Sequence, residues 1–213
     1  MVTDFFVMQL DLLKHKLSGD LPGTKSHLKM SPANRTEELL ALSSVTFKPR
    51  LSAVLIIFFH EGEQLKIIFI RRSEYVGIHS GQIAFPGGRY EEEDKDLRTT
   101  ALREVEEEIG ITADSIEILG QLSDLYVPPS NFLVRTFVGY TRERPHYVID
   151  AREVQEVLEF DFDVFQPESV VKSMDFQAHN INQIIKAPCY EINGTFIWGA
   201  TAMILTELLD LID

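Results

Sequence analysis

The chain has 213 residues, 45% of them apolar and 14 of them Phe, enough to bury the core of one large domain or of one domain with a small appendage. A net charge of −13 argues against a nucleic-acid or anionic-membrane surface. The single cysteine, Cys189, excludes an internal disulfide framework and Cys-rich zinc sites and favours a cytoplasmic setting. No run approaches the ~18 uncharged apolar residues of a membrane span. The opening stretch, broken by Asp4 and Asp11, lacks the basic start and small-residue cleavage site of a signal peptide.

Phe6, Leu10, Leu13 and Leu17 fall at helical spacing, with Phe5, Met8 and Leu12 widening the stripe, so residues 4–17 are expected as a helix. It docks on the main domain, the alternative being a partner-binding or dimerisation helix that would make the chain a homodimer. Gly19, Pro22 and Gly23 end it, and Ser31 to Leu42 reads as a second short helix. Ser52 to Phe59 and Leu65 to Ile70 form a hairpin around Glu61-Gly62. Residues 71–80 make a polar loop, and Gln82 to Phe85 is a short extended segment. Pro86-Gly87-Gly88 reads as a tight turn, where glycine takes φ > 0 or lets backbone approach a ligand. A helix from about Asp96 to Ile109 ends at Gly110. Further strands are expected at Ile116–Leu122, Phe132–Tyr140 and Val154–Phe162, with Asp163 to Gln166 turning. Asn193-Gly194 marks a hairpin within Cys189–Trp198 before an apolar closing helix. Strands mixed with a few helices imply an α/β fold, a mixed sheet covered by helices on both faces.

On a helical wheel at ~100° per residue, Glu104, Glu107 and Glu108 span roughly 100° of one face, at the edge of a stripe made by Ala101, Leu102, Val105 and Ile109. Three carboxylates held together repel unless a cation sits among them. Oxygen-only ligands suit Mg²⁺ or Mn²⁺, which also bind substrate phosphates. Arg103 can pair with one carboxylate and fix its rotamer. Glu106 points away and is expected to be solvated. The bland alternative is a solvated acidic helix, and the glycine run ahead of it, a place for phosphate, counts against that.

The stretch Arg103-Glu104-Val105-Glu106-Glu107-Glu108-Ile109-Gly110-Ile111 resembles the second half of the Nudix box, G-x5-E-x7-R-E-U-x-E-E-x-G-U, at every position, with Gly88 as its first glycine. Asp94 stands where the first Glu is expected, and Gly88 to Arg103 is one residue longer than the pattern. Upstream, Arg72-Ser73, Gly81 and Phe85-Pro86-Gly87-Gly88 are similar in spacing to the coenzyme A pyrophosphatase branch, as are His79 to Gln82 and Ile197 to Ala202. That branch's second arginine is Gly77 here. The likeness spans about residues 50–211.

The resemblance implies a Nudix α/β/α sandwich over residues 46–213, residues 1–45 forming an N-terminal helical extension. It implies metal-dependent cleavage of coenzyme A or an acyl-coenzyme A at the pyrophosphate, giving 3′,5′-ADP and 4′-phosphopantetheine. Glu104, Glu107 and Glu108 would hold Mg²⁺ or Mn²⁺, and Glu107 or the loop carboxylate Glu153 would be the base. Arg71, Arg72, His79, Gln82, Gly87 and Gly88 would meet substrate. Arg71 and Arg72 have a surface ion pair as their alternative, His79 a loop hydrogen bond, Glu153 an exposed strand end, and Trp198 stacks on adenine or sits in the core. Cys189 is expected as a packed core thiol. Gly77 leaves room for another nucleoside diphosphate derivative, ADP-ribose or NADH. A catalytically silent nucleotide sensor is the third reading, against which the intact box carboxylates count.

Overall fold

The computed structural model describes residues 2–32, 48–73, 81–178 and 183–213. Its spine is the apolar run 52–59, which lies in β1 (Arg50–Glu61). β1 forms the expected antiparallel hairpin with β2 (Gln64–Arg72) through the turn at Gly62, whose φ is 62°. On its other side it runs parallel to β7 (Phe132–Thr141). β5 (Ile116–Gln121) and β6 (Leu125–Val127) add antiparallel to β7, while β8 (Val154–Asp161) and the short β3 (Ile83–Ala84) pair with β2. The result is a mixed sheet of eight strands. Both faces of β1 are buried, which is why its sequence is a continuous apolar run.

Strand alternation sends β1 side chains into two cores. Ala53, Leu55, Ile57 and Phe59 meet Ala101, Val105 and Ile109 of α3 (Leu97–Ile109). Ile56 and Phe58 share the opposite core with Leu13 and Leu17 of α1 (Val2–Leu17) and with Met203, Leu205 and Leu208 of α4 (Gly199–Ile212). Helices therefore cover both faces, the arrangement read from the element order. Leu12, placed in the apolar stripe above, is instead 56% exposed.

Several details depart from the sequence reading. Pro86-Gly87-Gly88 is not a tight turn: β4 (Gly87–Arg89) lies antiparallel on β1. Arg71 and Arg72, which the sequence places both at a strand end and at the head of a loop, are the last two residues of β2. A helix forms earlier than expected, α2 (Thr24–Lys29), and residues 33–47, most of the helix expected at Ser31 to Leu42, lie outside the described residues. The turn expected at 163–166 is a 3-10 helix, Phe162–Phe165. The Asn193-Gly194 hairpin forms, with φ of 51° and 81°, but its strands belong to a separate three-stranded sheet of β9 (Val171–Ala178), β10 (Gln183–Ile192) and β11 (Thr195–Trp198). Trp198 stacks flat on Phe176 there, with centroids 4.3 Å apart. Cys189 is fully buried, as expected.

The N-terminal helices are fastened to α4 through a buried acid. Glu207 accepts from Gly23 N at 3.1 Å and Ser123 N at 3.2 Å, and lies 2.8 Å from His27 Nε2. Both side chains are almost wholly buried. Removing one member of such a group strands the donors that faced it. Glu207→Ala is expected to cost about 3 kcal/mol of stability in urea unfolding. A loss below about 1 kcal/mol contradicts this role.

Candidate metal centre

α3 begins where Asp96 accepts from Thr99 N at 2.8 Å and ends at Gly110, whose φ of 75° suits glycine. The stop at Gly110 and a start near Asp96 are as the sequence signalled. Its register then sets the site. Val105, Ala101 and Ile109 are pulled into the core, which leaves Glu104 and Glu108 at the edge of the buried stripe. Glu104 lies over Gly88: a Cβ on that glycine would fall 2.4 Å from the Glu104 carboxylate carbon. Glu108 is 1% exposed and accepts from Gly87 N at 2.8 Å.

The glycines of β4 thus have two different tasks. Gly87, at φ 148°, brings β4 against β1, where a Cβ would meet Ala53 O at 2.3 Å. Gly88 leaves space for a carboxylate. The sequence leaves both open to a positive φ or to the approach of a ligand, and Gly87 takes the positive φ.

Glu153 joins Glu104 and Glu108 from the turn before β8, and oxygens of the three lie within 4.8 Å of one another. Glu107 stands apart from that group. It is 59% exposed and paired with Arg103 Nη1 at 2.9 Å. Arg103 also contacts Glu104 at 3.0 Å, and it grips Asp94 with Nε at 2.9 Å and Nη2 at 3.0 Å. Asp94 is buried and further accepts from Thr100 Oγ1 and Glu91 N. The Arg103 guanidinium, with these donors, holds its carboxyl down at about 2. Asp94 is therefore the anchor that orients Arg103, a role the sequence offered no signal for beyond its place in the box.

Strand parity separates the two arginines. Arg72 shares the face of Ile68 and Ile70 and brings Nη1 to 3.5 Å from Glu108 Oε1. Its Nε is buried without a partner among the described residues, so donor capacity is unused. Arg71 projects from the opposite face and is tied to Glu156 at 2.5 Å. Gln82 adjoins Arg72, whose N–H donates to Gln82 O at 3.0 Å. His79 and Gly77 lie outside the described residues.

Electrostatically the group is under-compensated. Burial pushes the Glu108 carboxyl up to about 8, against the pull of Arg72, and burial also raises Glu104. Three convergent carboxylates, with Arg103 3.0 Å from Glu104 and Arg72 3.5 Å from Glu108, form an all-oxygen donor set suited to a hard divalent cation.

The sequence matches the NUDIX domain model over residues 49–184. It is 34% identical over 159 residues to NudL, an uncharacterized Nudix hydrolase of Yersinia pestis, covering 75% of this chain and 78% of that one. Against Nudix hydrolase 22, chloroplastic, of Arabidopsis thaliana it is 33% identical over 173 residues, covering 78% of this chain and 56% of the plant protein's length. A solved MutT/nudix family protein from Enterococcus faecalis shares the fold at TM-score 0.51 and 17% identity, covering 83% of this chain and 68% of that one. The chain therefore belongs to the Nudix hydrolases, enzymes that act on phosphoanhydride bonds of nucleoside diphosphate derivatives with divalent metal ions. No described helix is long and apolar enough to cross a membrane.

Two outcomes test this geometry. Gly88→Ala drives a methyl group into Glu104 and is expected to lower hydrolysis about 100-fold in a folded protein, since misplacement by ~1 Å has that effect. Unchanged turnover contradicts the packing of Glu104 on Gly88. Asp94, whose folded pKa lies below its ordinary value, contributes stability above that value and loses it as pH falls from 3.8 towards 2. Acid unfolding of Asp94→Asn should lack that segment of the transition, and an unaltered acid limb contradicts the Asp94–Arg103 anchor.

Proposed function

We propose that this chain hydrolyses coenzyme A or its acyl thioesters at the pyrophosphate, releasing 3′,5′-ADP and 4′-phosphopantetheine in a cytoplasmic setting. What carries the substrate assignment is the run from Arg72-Ser73 through Gly81 to Phe85-Pro86-Gly87-Gly88, in which Arg72 also faces the carboxylate group. Glu104, Glu108 and Glu153 would hold Mg²⁺ or Mn²⁺, which when bound neutralises diphosphate charge and activates water for in-line attack.

The protein's own groups divide the remaining work. Arg72 gives N–H bonds to a phosphate oxygen and sets the diphosphate against the carboxylates. Arg103, locked by Asp94, fixes the rotamer of Glu104 and holds Glu107 at the rim. Glu153, the exposed member of the group, takes the proton of the attacking water and passes it to solvent. Glu107 is the alternative base at greater remove. Arg71, occupied by Glu156 on the other face, supports Glu156 and β8 more than substrate.

Gly77 favours one second reading, in which ADP-ribose or NADH replaces coenzyme A. A panel of coenzyme A, acetyl-coenzyme A, ADP-ribose and NADH with Mg²⁺ and with Mn²⁺ separates the two. Rapid release of 3′,5′-ADP from coenzyme A is expected. Turnover of ADP-ribose with none of coenzyme A overturns the first reading in favour of the second. Glu153→Gln is expected to lower kcat by about 100-fold or more, and wild-type kcat in that variant rejects Glu153 as the base.

A further inference from the structure

One member of the carboxylate group comes from outside the box helix, and the chain must hold it there. Glu153 ends the segment 142–153, which runs from β7 to β8 without a helix or strand. Three main-chain bonds fasten this segment. Val148 N donates to Ile109 O and Asp150 N to Glu108 O, both at 3.0 Å, and Ser73 N donates to Glu153 O at 2.8 Å. The first two use carbonyls of the last helical turn, which have no partner within the helix. Gly110 permits the approach, since a Cβ there would lie 2.7 Å from Val148 Cβ. Ser73 Oγ adds a bond to Ala151 O at 3.1 Å.

Such bonds compete with water, and each contributes only about 1 kcal/mol. Most side chains of the segment offer little more, because Arg142, Glu143, Arg144, His146, Val148 and Ile149 are exposed. Tyr147 differs. Its ring packs against the core beneath α3, and its Oη donates to Glu159 Oε1 on β8 at 2.7 Å. Arg144 Nη2 holds the other Glu159 oxygen at 2.8 Å, so the acceptor is itself fixed. Burial and the Glu159 bond raise the pKa of the phenol, which keeps it a donor.

We propose that Tyr147 is a positioning residue: by pinning the 147–153 segment to the core and to β8, it holds Glu153 against Glu104 and Glu108. The inference rests on the reading of these three carboxylates as a cation site. Without the pin, the segment keeps its main-chain bonds only part of the time. Glu153 then spends less time within reach, and a cation is left with two carboxylates.

The test is Mn²⁺ binding to the full-length chain without substrate, read from the electron paramagnetic resonance signal of free Mn²⁺. Tyr147→Ala is expected to weaken binding about tenfold, the usual scale for a group that orients a ligand. Tyr147→Phe, which keeps the ring, should lose less. In a Glu153→Gln background the Tyr147→Ala effect should vanish, because the pin acts only through that carboxylate. Unchanged affinity in Tyr147→Ala, or an equal loss with and without Glu153, overturns the proposal. If Tyr147→Ala does not fold, the same cycle with Tyr147→Phe and Ser73→Ala decides it. A wild-type chain that binds no Mn²⁺ removes the cation site and the pin together, whereas intact binding with no effect at Tyr147 removes the pin alone.

Discussion

Three carboxylates forced within 4.8 Å of one another are the constraint around which the structure is arranged. Ionising Glu104 and Glu108 together at that separation is unfavourable, so burial keeps Glu108 protonated up to about pH 8 and the force that assembles the group must lie elsewhere. It comes from apolar packing. Ala101, Val105 and Ile109 lock α3 onto β1, and the glutamates follow because they share the helix. The wall behind them is built to fit: Gly88 yields space to one carboxylate, and Gly87 N–H satisfies another. A divalent cation bound there would displace the Glu108 proton and reverse the local sign, which is how an anionic protein could take an anionic substrate.

The same geometry explains why the loop before the helix differs from the Nudix pattern without dismantling the site. Asp94 is one methylene shorter than Glu, and the path from Gly88 to Arg103 is one residue longer. Asp94 still reaches Arg103 with both oxygens and ties the loop through Glu91 N and Thr100. From Arg103 the constraint passes to Glu104 and Glu107.

Much of this was legible from the residues. The stop at Gly110 and the 3.6-residue stripe placed α3 within a residue, because both are local signals. The run at 52–59 and the Asn193-Gly194 pair gave their strands for the same reason. The separation of Arg71 from Arg72 is also available from the sequence, since Ile68 and Ile70 share parity with Arg72. What local pattern does not encode is the meeting of distant segments. β4 lies on β1 because of a steric fit at Gly87, and most of β10 lacks clean alternation, whereas the alternation from Ser173 to Ala178 in β9 was a local signal left unread. Glu153 could be named as a carboxylate near a strand start. Its arrival at Glu108 depends on main-chain bonds that carry no side-chain signature.

The cation site proposed for this chain is Glu104, Glu108 and Glu153 rather than three glutamates of one helix. Anomalous diffraction from a crystal soaked in Mn²⁺ addresses it directly. The account expects a peak at coordination distance from oxygens of all three residues, with Glu107 still turned to Arg103. A peak bound by Glu104 and Glu107 with Glu153 turned away would contradict it.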